Sequence, residues 1–334
     1  MIKNSFRYIL EIISSRFSLV SVSLVCFLLF TCSATTSAAP LRVVSYNVEN
    51  LFHPEHDSLT NDLEWTPDGE RRWSYTRYYR KVENIARVLT NIGEWEGVDI
   101  VGLQEVENAK VLKKLCYTLR RNGYDFVHYE SPDQRGIDVA LVYKKARIDT
   151  LCSRAIHVDL GEQNTRDILY VCGKVKKEEG DTLHLFVCHM PSQRGGKAES
   201  EWKREQAKRV LQHAVDSIFA VEPQAHIIVM GDMNSAPKED INGLKNRMID
   251  KSEEIRDKSK EVRGTHKYQG QWTCLDQFYT SPSLDSLSTT YIYAPEWIQE
   301  PDEKYLGLKP KRTFNGYRYQ NGYSDHLPIV LLIR

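Results

Sequence analysis

The chain has no surplus of either charge, no CxxC pair and no internal repeat. Lys+Arg and Asp+Glu number 45 each, so the formal net charge is zero. Proteins that coat nucleic acid without regard to sequence carry a clear positive surplus. Neutrality therefore argues against tight, sequence-independent duplex binding, although a few basic residues around a metal suffice for a polyanionic substrate. Cysteines number 7 in 334 residues, and without a CxxC pair a zinc ribbon or thioredoxin-like motif is unsupported.

The first 39 residues do not read as part of a fold. Lys3, Arg7 and Arg16 precede an apolar run over residues 17–30, and a small-residue stretch follows over 31–39. Basic, apolar, then small is the order of a cleavable secretory signal. The run falls short of the about 20 residues a membrane helix needs. Residues 9–13 extend its apolar character, so an uncleaved anchor is the alternative. Cys32 raises a lipid-anchor reading, but Phe30 and Thr31 are bulky where a lipidation signal wants small residues. The expectation is a signal peptide over 1–39, removed on export to a periplasmic or extracellular compartment. Residues 40–334 then form a single domain, acting as a monomer without stable membrane insertion. Cys116, Cys152, Cys172, Cys188 and Cys274 remain beyond the signal, an odd number, so at least one thiol is unpaired. Most lie in apolar, strand-like runs and read as buried thiols, with a Cys152–Cys172 disulfide as the alternative.

Runs rich in Val, Ile and Leu predict strands over 41–48, 98–106, 137–143, 167–175, 183–189, 226–230, 272–279 and 327–333. Tyr78, Val82, Ile85, Leu89 and Ile92 recur at helical spacing and predict a helix over 75–92, with further helices over 111–119 and 199–219. Residues 52–73 are polar and turn-rich and read as a long surface loop, and 240–264 as a charged loop or solvated helix. Several consecutive strands between Phe126 and His189 lack intervening helices, which argues for mixed sheets in an α/β sandwich with helices outside.

Five segments place a carboxylate, amide or imidazole at the end of an apolar strand: Ser45-Tyr46-Asn47-Val48-Glu49-Asn50, Leu103-Gln104-Glu105-Val106, Cys188-His189-Met190-Pro191, Gly231-Asp232-Met233-Asn234 and Ser324-Asp325-His326. Strand ends are where α/β sheets converge side chains on a ligand crevice. The oxygen donors Asn47, Glu105 and Asp325 suit a hard cation such as Mg²⁺ or Mn²⁺. His189 and His326 suit phosphate contact or proton movement near neutral pH. His184 and His226 lie away from these segments and read as structural. Asp138 reads as a buried pair for Arg135. Arg135 and Arg194 are candidates for a substrate phosphate, with an ordinary surface role as the alternative. Arg71, Arg72, Lys267 and Tyr268 are weaker groove candidates.

Together with Leu275-Asp276-Gln277-Phe278, these segments resemble, in order, the motifs of the endonuclease/exonuclease/phosphatase superfamily. The resemblance spans Leu41 to Arg334. It implies a four-layer α/β sandwich, two mixed β-sheets packed face to face with helices outside. It further implies a Mg²⁺- or Mn²⁺-dependent hydrolase of phosphodiesters. On that resemblance Asn47 and Glu105 hold the metal, with Asp325 close to it, and Glu49 stands where some members have a metal-proximal Asp. Asp232 orients or deprotonates the attacking water, and Asn234 donates to a phosphate oxygen. His326 contacts the scissile phosphate, Asp276 holds its imidazole, and His189 serves the leaving group or the phosphate. Three readings follow: an exported nuclease acting on DNA or RNA; a phosphohydrolase of phospholipid or inositol phosphate head groups; and a binding protein that has lost activity. A competent residue at every motif position disfavours the last.

Overall fold

The computed structural model describes residues 39–119, 123–176, 180–193, 195–237, 244–252 and 262–334. The expected signal, Arg194 and much of the charged stretch 240–264 lie outside the described residues.

In chain order the elements are β1 (Leu41–Leu51), α1 (Tyr75–Gly93), β2 (Ile100–Val106), α2 (Ala109–Leu119), β3 (Tyr124–His128), β4 (Asp138–Lys144), β5 (Ile148–Ile156), β6 (Ile168–Val175) and β7 (Thr182–His189). There follow α3 (Lys197–Val221), β8 (His226–Asp232), β9 (Ile249–Asp250), β10 (His266–Tyr268), β11 (Gln271–Thr273), β12 (Asp276–Thr280), α4 (Pro282–Asp285) and β13 (Ser288–Ile292). Two short ribbons, β14 (Gln299–Pro301) with β15 (Leu308–Pro310) and β16 (Phe314–Asn315) with β17 (Arg318–Tyr319), precede the closing β18 (Ile329–Ile333).

Two six-stranded mixed sheets result, in the orders β13-β18-β1-β2-β4-β3 and β5-β6-β7-β8-β12-β9. Each contains one parallel pair, β1 with β2 and β7 with β8. Parallel neighbours need a crossover, and α1 and α3 supply it. Val43, Ile100, Leu141, Val171, Leu185 and Met230 fill the space between the sheets. The outer face of the first sheet packs Val44 and Tyr46 against Val82, Ile85 and Leu89 of α1. The outer face of the second packs Ile227 and Val229 against Leu211 and Val215 of α3. These are four layers, as expected, and strands covered on both faces explain their nearly unbroken apolar sequences. Gly102 marks the close approach of the sheets: a Cβ there would lie 2.6 Å from Met230 Sδ. Among the described residues no helix is long and apolar enough to cross a membrane.

Two segments depart from expectation. Residues 52–73 do not form a plain surface loop, because Phe52, Trp65 and Trp73 are buried. Phe52 stacks on Trp65 at 5.0 Å, Trp65 meets Trp73 and Phe314 edge-on, and Trp73 Nε1 donates to Phe52 O at 2.9 Å. The expected strand 272–279 is two strands. Thr265 Oγ1 accepts the N–H groups of Leu275 and Asp276, both at 3.1 Å, while β10 and β11 fold out as a hairpin. None of the five described cysteines forms a disulfide, although Cys152 and Cys172 face each other across β5 and β6.

Candidate active site

Both sheets deliver polar residues at one edge. Asn47, Glu105, His189 and Asp232 lie at or near the carboxyl ends of β1, β2, β7 and β8. β12 runs antiparallel to β8, so its first residue, Asp276, lies opposite Asp232, and His189 lies opposite Asp232 on the other side. Asp325 and His326 precede β18, which pairs antiparallel with β1.

Irregular backbone aims these side chains. A bulge interrupts β1 between Asn47 and Leu51, and another interrupts β2 between Gln104 and Val106. Glu49 (φ 53°), Asn50 (φ 55°), Glu105 (φ 65°) and Asn234 (φ 48°) occupy the left-handed region, at a cost of roughly 1–2 kcal/mol each. Such strain gathers where a site requires it. Gly231 has φ 146°, and a Cβ there would come within 1.9 Å of Cys188 O, so only glycine lets β7 and β8 stay paired up to Asp232.

Asp232 is the hub. Its Oδ2 accepts from Asn47 Nδ2 at 3.1 Å and its Oδ1 from the Asn234 N–H at 2.9 Å. His189 Nε2 and His326 Nε2 stand 3.7 and 3.8 Å from Oδ2. Burial first, and then the Asp276 charge, push the Asp232 carboxyl up to about 6. His326 Nδ1 donates to Asp276 Oδ2 at 2.7 Å. Ser324 Oγ accepts the His326 N–H and donates to Asn47 O, tying the imidazole to β1. Burial would lower the His326 imidazole, but Asp276 and Asp232 outweigh it and hold it well above the ordinary range.

His189 differs. Burial, helped by Arg166, Arg135 and His326, holds it well below the ordinary range, so it is the neutral imidazole of the site. Its Nδ1 is buried without a hydrogen-bond partner, and its Nε2 lies 3.9 Å from Glu105 Oε1. Arg166 donates to His189 O and Met190 O and pairs with Asp133 at 2.9 Å, fixing the strand end that carries His189.

A second cluster adjoins the hub. Glu49 Oε2 accepts the Thr313 N–H at 2.6 Å and lies 3.9 Å from Lys81 Nζ, and Arg312 spans Glu49 (3.5 Å) and Asp325 (2.7 Å). Lys81, wholly buried, donates to Thr313 Oγ1 and Tyr323 O. Burial pushes the Lys81 ammonium down to about 8; burial and Asp325 push Glu49 up to about 7. Asp325 is held below the usual carboxylate range, because His326 and Arg312 outweigh its burial.

The structure thus brings together Asn47, Glu105, His189, Asp232, Asn234, Asp276, Asp325 and His326. Asn234 Nδ2 gives one hydrogen to Met190 O at 3.0 Å, leaving the second for a ligand. Arg135 acts on His189 but pairs with Asp133 at 3.8 Å, not with Asp138, whose carboxylate instead accepts from Ser131. Lys267 is no groove residue: its ammonium is buried against Asp302 at 3.0 Å. Arg71 lies over the Trp65 ring at 4.4 Å and pairs with Glu64. Sequence reasoning missed Lys81, Arg166, His266 and Arg312. Only Lys81 carried a signal, a charge three residues after Tyr78 and four before Ile85 on an apolar helix face.

The donor set fits a hard divalent cation. Asn47, Glu105 and Asp325 offer oxygen alone. Glu105 Oε2 accepts the Asn50 N–H at 2.9 Å, which leaves Oε1 toward the crevice beside His189. The raised carboxyls of Asp232 and Glu49 mark buried negative charge that a cation would neutralise.

A family model described as Endonuclease/Exonuclease/phosphatase family matches residues 42–334. Solved structures share the fold at low identity. TDP2 from Caenorhabditis elegans is 17% identical with a TM-score of 0.56, over 88% of this chain and 74% of that one. D. rerio TDP2 complexed with single-strand DNA product is 18% identical with a TM-score of 0.54, over 88% and 99%. A mannosyl-6-phosphatase from Bacteroides thetaiotaomicron is 17% identical with a TM-score of 0.53, over 88% and 100%. No curated protein sequence matches the chain.

Proposed function

From the premise that the chain belongs to the endonuclease/exonuclease/phosphatase family, whose members hydrolyse phosphate esters, we propose that it is a divalent-metal-dependent phosphodiesterase that cuts nucleic acid after export from the cytoplasm. The observation that carries the reading is the arrangement about Asp232. A cationic imidazole locked by Asp276 and a neutral imidazole stand within 4 Å of one buried carboxylate. A phosphodiester is anionic and repels a nucleophile, so its hydrolysis needs a base for water and donors for the charge that develops. Asp232 takes the proton of the attacking water as the oxygen–phosphorus bond forms. His326, with Asn234, donates to the phosphate oxygens, and the proton leaves with the displaced alkoxide from the His189 side. Asp276 keeps the His326 ring in one orientation, the orienter–base logic of a triad without its serine. Asn47, Glu105 and Asp325 would hold the cation, which when bound neutralises a non-bridging oxygen and stabilises the leaving oxygen.

Nucleic acid, among phosphodiesters, is favoured by the β10–β11 hairpin. His266 packs on His326 at 4.8 Å between rings, and two residues on, Tyr268 is 68% exposed, a face on which a base can stack. Export rests on the N-terminal order of charge, apolar run and small residues. A panel of plasmid DNA, RNA, sphingomyelin and inositol phosphates with Mg²⁺ tests the substrate class. Cleavage of DNA or RNA is expected; turnover of the lipid or inositol phosphates alone would overturn it.

A further inference from the structure

Outside the active site, β3 and the start of β4 bring His128, Glu130 and Asp138 together, each with a ligand atom within 4.8 Å of the others'. The His128 side chain is 4% exposed, and its Nε2 is buried with no hydrogen-bond partner. That nitrogen points at Asp138 Oδ2 across 3.4 Å, while Glu130, whose Oε1 stands 3.8 Å from the other ring nitrogen, counts through the 4.8 Å span of the three ligand atoms and not through that contact. An imidazole that simply bonded Asp138 would close to about 2.7–3.2 Å. A tetrahedral ion with bonds near 2.1 Å instead spaces its ligands by roughly 3.4 Å. Asp138 Oδ1 is already occupied by the Ser131 N–H and hydroxyl, so Oδ2 is the oxygen left to a ligand. Glu130 also lines an open pocket of about 400 Å³ with His53, His56 and Asp57, so this arm of the cluster meets solvent.

We propose that His128, Glu130 and Asp138 bind a second divalent cation of the zinc class, with a fourth position open to water. One imidazole with two carboxylates suits zinc better than magnesium, which prefers oxygen alone. The ion would pin the β3–β4 turn. Ser131 is held by Asp138, and Asp133 on the same turn pairs with Arg166, whose guanidinium grips His189 O. The site lies one turn removed from the chemistry and acts on it only through that turn, and it stands whether or not the chain cuts phosphodiesters.

The test uses the full chain carrying Glu105→Ala, which removes a ligand of the catalytic cation. Metal-free protein is titrated with ZnCl₂ by calorimetry, and bound zinc is counted by elemental analysis after dialysis. One equivalent is expected to bind and to raise the melting temperature. Adding Glu130→Gln, at an exposed position that leaves the core intact, or His128→Ala is expected to weaken binding at least tenfold, since losing a ligand costs no less than the about 10–100-fold of an outer-shell partner. No saturable zinc uptake by the Glu105→Ala protein, or binding that survives either added substitution at full affinity, would overturn the proposal.

Discussion

His189 and His326 flank one carboxylate yet are shifted in opposite directions: burial, helped by Arg166 and Arg135, lowers the first, while Asp276 and Asp232 outweigh burial and raise the second. That division separates the charged donor to the phosphate, His326, from the neutral imidazole on the leaving-group side, from environment alone. If Asp276 works only by holding His326, the two residues form one unit. His326→Ala should lower kcat by about 10²–10⁴-fold, and Asp276→Asn should lose part of that factor. The double variant should then be no worse than His326→Ala alone; losses that multiply would separate the pair. At this scale the sequence was legible where a polar residue ended an apolar strand, as at Asn47, Glu105, His189 and Asp232. Arg166 and Arg312 were not legible, because arginine in a polar stretch is ordinarily a surface residue, and only the folded chain shows what their guanidinium groups grip.

Elements were read well where both faces of a strand are covered, since such strands are apolar throughout: β1, β2, β7 and β8 fall within three residues of expectation. Reading failed where long-range contacts decide. The 52–73 segment is rich in polar residues, yet its aromatics close over the outer face of the first sheet. Trp73→Ala should therefore cost about 3–5 kcal/mol in denaturant unfolding, the usual figure for a buried Trp, whereas a surface-loop residue would change stability by less than about 0.5 kcal/mol. Helix α1 likewise does more than cover the sheet. Its Lys81 ties Glu49 on β1 to Thr313 and Tyr323 near the chain's end. Lys81→Met leaves Glu49 buried without its ammonium and should destabilise the protein by about 3–5 kcal/mol. Glu49→Gln added to Lys81→Met should recover part of that loss in the same unfolding experiment; no recovery would mean that Lys81 acts through Thr313 and Tyr323 alone.

Across the whole molecule, two sheets with matching parallel pairs present their strand ends to one crevice, and the residues that meet there come from positions 47 to 326. Motif order along the chain revealed that convergence before any coordinate did. Substrate choice was less legible, because it resides in the hairpins and loops around the crevice and not in the strands that build it. In the proposed function this crevice hydrolyses phosphodiesters with a divalent cation held through Glu105. The most direct measurement is the rate of bis(p-nitrophenyl) phosphate hydrolysis by metal-free protein, with Mg²⁺ or Mn²⁺ added and then removed by EDTA, for the native chain and for Glu105→Ala. Turnover should appear with the cation, disappear with EDTA, return on readdition and be nearly absent in Glu105→Ala. Undiminished hydrolysis in EDTA, or full activity in Glu105→Ala, would contradict it.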